Sequence, residues 1–126
     1  MIVVDAGVLI ALLDAADAHH EAAALMFTSH IGDEIVIGPI NLAEVLVRPA
    51  RNGRDEAVLS DIQALGVRVL PLPGDAPLRL ARLRAETGAK MPDCCVLLTA
   101  EQAGAAVASF DERVRSAATS RGMTVV

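Results

Sequence analysis

Four acids stand out for where they fall: Asp5 directly after the β-branched run Ile2 to Val4, Glu44 soon after a second such run, Asp93 behind Pro92, and Asp111 soon after Ala105 to Ala108. Carboxylates gathered in one place raise one another's pKa and oppose folding, so four of them on one edge call for a positive partner. Oxygen-only donors select a hard divalent cation, Mg2+ or Mn2+, over zinc, which prefers thiolate and imidazole. Such a site suits phosphodiester hydrolysis, where the cation activates water and stabilises the leaving oxygen.

Each acid also has a plainer explanation. Asp5 is equally placed to cap a helix starting near Ala6. Glu44 can face solvent and pair with Arg48 four residues on, a contact worth under about 1 kcal/mol. Asp93 falls in the first turn of a helix, where the dipole favours a carboxylate by roughly 0.3 to 1 kcal/mol. Asp111 lies beside Ser109 and Glu112, which form a capping-box pattern. Capping explains each acid singly and does not explain their convergence.

Other polar groups offer less. Asp14, Asp17, His19, His20 and Glu21 form a rival ligand set, but neighbouring helical residues point in different directions and no HExxH spacing occurs; a capped, solvated helix start accounts for them. His30 fits a helix end. Cys94 and Cys95 are adjacent, so they have neither useful disulfide geometry nor metal-ligand spacing, and they read as small buried hydrophobes in a reducing cytoplasm.

The elements that must position the acids follow from periodicity. Ile2 to Val4 reads as a strand buried on both faces, followed by a short helix over Val8 to Leu13 and another from Ala18 to about Thr28, capped by Asp17, with Leu25 and Met26 toward the core. Glu34 to Ile37 is a second strand, after which Asn41 can cap a helix that stops before Pro49. Arg54 to Leu65 is helical, Val67 to Leu70 a strand, and Pro77 to Glu86 an amphipathic helix carrying a row of arginines. Pro92 opens a helix to about Gln102, Ala105 to Ala108 is the next strand, Ser109 and Glu112 begin the last helix, and Met123 to Val126 can form a terminal strand. Strands alternating with helices imply an α/β fold of three layers, α/β/α, around a central, mostly parallel sheet, and 126 residues without a linker suit a single domain over 1–126. In such a sheet the carboxyl ends of the strands line one edge, where Asp5, Glu44 and Asp111 would meet, and Asp93 joins them if its helix begins there.

A net charge of -5 argues, by itself, against a polyanionic ligand, unless bound cations reverse the local field. Arg48, Arg51, Arg54, Arg79, Arg82 and Arg84 would then supply backbone contacts. Trp and Tyr are absent and Phe occurs only at Phe27 and Phe110, so an aromatic platform for stacking bases is not expected. The N-terminal apolar stretch lacks a basic leader and is interrupted by Asp5 and Asp14, which points to a soluble, cytoplasmic protein without membrane attachment.

The segments VVDAGVLIALLD, NLAEVLVRP and MPDCCVLLTAEQAGAAVASFDERV, in this order across the whole chain, resemble the PIN-domain superfamily, specifically the VapC-like toxins of bacterial toxin-antitoxin pairs. The resemblance implies that Asp5, Glu44, Asp93 and Asp111 coordinate Mg2+ or Mn2+ and that Ser109 is the small polar residue preceding the last acid by two. It also implies an endoribonuclease acting on structured RNA, a VapB-like antitoxin partner and homodimerisation. One departure is Gly7, where the family commonly carries Ser or Thr, so a hydroxyl able to orient Asp5 is missing from that position. Gly7 motivates the alternative of a catalytically weak binding module that mainly engages the antitoxin. It also removes the DxD pattern that a haloacid-dehalogenase-like phosphatase would need after the first strand, and a receiver-like phosphoacceptor domain is disfavoured because it would need an acid pair near one strand end and a lysine after a later strand.

Overall fold

Alternation within very short strands organises the fold. The computed structural model describes residues 1–126. Strands β1 (Ile2–Val4), β2 (Ile35–Ile37), β3 (Arg68–Val69) and β4 (Ala106–Ala108) form one sheet in the order β3-β2-β1-β4, with every pair parallel. Seven helices join them: α1 (Ala6–Leu13), α2 (His20–Ser29), α3 (Pro39–Arg51), α4 (Asp55–Ala64), α5 (Ala76–Thr87), α6 (Met91–Ala103) and α7 (Glu112–Ser120). Successive strand side chains point to opposite faces. Ile2, Val4, Ile35 and Ile37 therefore pack with residues of α1 to α4, while Val3, Val36 and Val107 pack with residues of α5 to α7. The two clusters contain 14 and 13 buried residues, so both faces are covered about equally and the three-layer α/β/α arrangement holds.

Helix α6 is the most enclosed element, with every residue from Cys94 to Ala100 buried. It lies against α3, α5, α7, β1 and β4, which explains why its composition lacks a polar stripe. Both cysteines are free and buried, as their neighbours suggested. No helix is long and apolar enough to cross a membrane.

Several local expectations shift. Helix α3 begins at Pro39, with Gly38 as N-cap, and runs through Pro49 to Arg51. Pro49 is tolerated because it sits in the last turns, which are closed by bonds from Asn52 and Arg54 N–H to its carbonyl. Asn41 is consequently no cap: it is 1% exposed, and its side-chain amide donates to the Pro92 carbonyl at 3.0 Å. Leu25 faces solvent, because α2 turns Ala23 and Phe27 to the core instead. The strand expected over Val67 to Leu70 retains ladder pairing only at Arg68–Val69, and the terminal strand is reduced to a single parallel bridge between Val107 and Val125. The last helix is capped by Asp111, whose Oδ1 accepts the Arg113 N–H at 2.8 Å, rather than by Ser109.

Close packing of α3 on α6 makes Gly38 sensitive. A Cβ there would lie 2.9 Å from Thr99 Oγ1, and that hydroxyl is already bonded to the Cys95 carbonyl. Gly38→Ala is expected to lower stability by about 1–3 kcal/mol through overpacking. Urea denaturation measures this, and an unchanged midpoint would show that Thr99 can withdraw freely.

Candidate active site

Strand register brings the first acid to its partner. Val4 pairs with Ala108, the Asp5 N–H donates to the Ala108 carbonyl at 2.9 Å, and the next residue on each strand is therefore Asp5 beside Ser109. The Ser109 hydroxyl donates to Asp5 Oδ2 at 2.7 Å and accepts the Asp111 N–H at 3.0 Å. One buried serine thus fastens two of the acids. Arg115 in turn donates to the Ser109 carbonyl at 3.2 Å and to that of Val126 at 3.1 Å, tying α7 and the chain end to the same corner. Asp5 occupies the N-cap position of α1 without a side-chain capping bond, so its carboxylate serves Ser109 instead.

The other two acids arrive on helices. Helix α6 precedes β4 and so runs away from the carboxyl edge, which places its first turn, with Asp93, on that edge. Helix α3 follows β2 and also begins there, with Glu44 in its second turn. The Asn41 amide bonded to Pro92 joins these two helix starts across 51 residues of sequence and sets their spacing. Glu44 forms no ion pair with Arg48, contrary to the surface-pair reading.

Electrostatics shows which groups sense one another. The Asp5 carboxyl is pushed up chiefly by burial, partly offset by the Ser109 bond, with the Asp111 charge adding to the rise. Glu44 is raised by burial and by Asp5 and Asp93. Asp93 is raised by burial, Asp5 and Asp111, while Lys90 and Arg113 pull it down. Asp5 and Asp93 thus each sense Asp111, and Glu44 senses Asp5 and Asp93. No three of the chain's His, Cys, Asp or Glu side chains stand close enough to enclose a metal ion.

Lys90 and Arg113 are cations that sequence reasoning did not single out. Their signal was proximity in sequence, each lying within three residues of a candidate acid. Several arginines on which backbone contacts had been placed are engaged elsewhere: Arg79 donates to Gln102 at 2.6 Å, and Arg84 to the Ala89 carbonyl at 2.8 Å. The largest cavity, about 710 Å3, lies at the opposite end of β4, lined by Glu101, Gly104, Arg121 and Thr124 among others, and includes none of the four acids. Gly7 is exposed, lacks a positive φ, and has no atom within 4 Å of an added Cβ, so neither backbone nor packing requires glycine there.

A family model of the PIN domain matches residues 2–119. Among solved structures, Mycobacterium tuberculosis VapC20, described as a sarcin-ricin loop cleaving toxin, is similar with a TM-score of 0.79 at 19% identity, covering 100% of this chain and 98% of its own. FitAcB from Neisseria gonorrhoeae gives 0.74 at 22% identity, covering 99% and 96%, and a toxin-antitoxin complex from Klebsiella pneumoniae gives 0.71 at 19%, covering 88% and 87%. At these identities the likeness is one of fold. No curated protein matches the chain by sequence.

Raised carboxyl pKa values carry a stability consequence with a definite sign. A group easier to protonate folded than unfolded adds stability that is complete below its unfolded pKa and is lost as pH rises through the folded value. Asp5→Asn removes this loss and can still accept the Ser109 bond. Metal-free Asp5→Asn should therefore unfold at a higher temperature than the parent at pH 7, with the difference vanishing below about pH 4. A variant less stable than the parent at pH 7 in chelator would contradict this account.

Proposed function

The chain belongs to the PIN-domain family, and on that premise we propose that it is a metal-dependent endoribonuclease, the toxin of a toxin-antitoxin pair. The observation that carries this reading is the gathering of Asp5, Glu44, Asp93 and Asp111 at one sheet edge, where neighbouring acids push up the carboxyls of Asp5, Glu44 and Asp93. The donor set is all oxygen, and neighbouring acids push up three of its carboxyls. That fits a hard cation held through one or two carboxylates with its remaining positions hydrated, as Mg2+ is usually held, with Mn2+ the other candidate. Asp5, Glu44, Asp93 and Asp111 are the residues from which those one or two direct ligands would come, the others acting through the ion's waters. When bound, such a cation supplies Lewis acidity and charge neutralisation for attack of water on a phosphodiester.

The chain's own groups do the positioning. Ser109 holds the Asp5 carboxylate in one orientation, and Asn41 keeps the Glu44 and Asp93 helices in register. Lys90 and Arg113, both near Asp93 and in no ion pair, are the cations suited to hold the phosphate that water attacks and whose bond to the leaving oxygen breaks. Likeness to a sarcin-ricin loop cleaving toxin supports structured RNA as substrate, and likeness to a toxin-antitoxin complex supports a VapB-like antitoxin as partner. Homodimerisation and a cytoplasmic location accompany the reading. The weak binding-module alternative rested on Gly7; a hydroxyl oriented on Asp5 is supplied by Ser109.

Purified, partner-free protein should fragment structured RNA with Mn2+ or Mg2+ and stop with chelator. Asp5→Asn and Asp93→Asn should each lose about a hundredfold or more of that rate while melting cooperatively. Full cleavage by both variants would refute the site.

Ser109→Ala and Gly7→Ser separate the two hydroxyl positions. Loss of the Ser109 bond should cost about tenfold or more in kcat at saturating Mn2+. Gly7→Ser should leave kcat within about twofold and raise stability by a few tenths of a kcal/mol, serine being the better helix former. A large gain in rate from Gly7→Ser would restore the binding-module alternative.

A further inference from the structure

His19 lies in the turn between α1 and α2, and its ring stacks on Phe110 with centroids 4.6 Å apart and planes 12° from parallel. Phe110 stands in the chain between Ser109, which holds Asp5, and Asp111, so the stack is carried by the same segment as the acids. The turn that presents it is locked by its backbone. Asp14 Oδ1 accepts the Ala16 N–H at 2.9 Å and Asp17 Oδ1 accepts the His19 N–H at 2.8 Å. The next residue, His20, donates from Nδ1 to the Ala11 carbonyl at 2.8 Å and pins the turn to α1. None of these bonds uses the His19 ring, which stacks on Phe110 while the residue stays exposed.

A flat ring held rigid beside a group of carboxylates repels anions and receives uncharged planar groups. The chain's other rings are occupied: Phe27 packs on the core, His20 is bonded to Ala11 and His30 to Asp33. We propose that His19, backed by Phe110, is a stacking platform for an unpaired nucleobase of RNA engaged at the acid cluster. This rests on the nuclease reading above and adds a base contact to it. Unstacked bases in single strands and loops lie readily on histidine and phenylalanine rings, and stacking of this kind tolerates any base. Composition argued against such a platform because it counts phenylalanine, tyrosine and tryptophan; the fold makes one from a histidine and a phenylalanine 91 positions apart in the chain.

The test uses a single-stranded oligoribonucleotide and the same strand made abasic, with kcat/KM measured in Mn2+ and Kd in Ca2+. The parent protein should prefer the base-bearing strand by about fivefold or more in both quantities. His19→Ala should lose that preference while handling the abasic strand as the parent does, and His19→Phe should keep it. A parent without preference, or a His19→Ala variant that weakens both strands equally, overturns the platform; the second result would mean that the ring only props Phe110 and Asp111. A parent that cuts neither strand and no structured RNA with any divalent cation overturns the nuclease reading instead, and the Kd preference with its loss in His19→Ala then decides the platform independently.

Discussion

Asp5, Glu44 and Asp93, each with its carboxyl pushed up by burial and by neighbouring acids, are the constraint around which this corner of the structure is arranged. Repulsion of that kind favours any movement that separates the groups, so each acid must be held by something that does not yield. Asp5 is held by β1, whose three residues are fully buried, and by the hydroxyl of Ser109. Asp111 is held by the same serine and by its own capping bond to Arg113. Glu44 and Asp93 ride on helices that pack on the sheet and are joined at their starts through Asn41. Packing on both sheet faces opposes the strain, and a cation placed there would relieve it.

Charge is distributed in keeping with that constraint. Away from the acid edge, cations and anions cancel in pairs: Arg121 bridges Glu86 and Glu101, Arg79 reaches Glu101 and Asp75, and Arg68 meets Glu34. Exposed pairs of this kind contribute little each. Lys90 and Arg113 are among the cations outside these pairs, and both act on Asp93. A net charge of -5 is compatible with a polyanionic substrate where a divalent cation bound among Asp5, Glu44, Asp93 and Asp111 reverses the local field.

Several details went unread in the sequence for reasons that are physical. Asn41 looked like a helix cap, since asparagine before an apolar run ordinarily is one; burial against α6 gave its amide a more distant partner. Ser109 and Glu112 looked like a capping box, yet Asp5 competes for the serine hydroxyl and leaves the cap to Asp111. Leu25 looked like core because alanine neighbours carry no directional signal in a helical pattern, and Ala23 with Phe27 took the inward face. His19 looked like one of several polar residues at a helix start, and its stacking partner lies at the far end of the chain.

Local patterns were sufficient for what depends on periodicity and breakers. The β-branched runs at Ile2 and Ile35 and the short apolar run at Ala106, each followed by an apolar or amphipathic helical stretch, determined a layered α/β fold with both sheet faces covered, and with it the edge on which acids after strand ends must lie. Tertiary structure alone decided which hydroxyl orients Asp5, whether Glu44 turns to Arg48 or to the other acids, and which cations remain unpaired. Those outcomes follow from strand register and helix contact between residues far apart in the chain, 104 positions for Asp5 with Ser109 and 51 for Asn41 with Pro92, and no local propensity encodes a hydrogen bond at that separation.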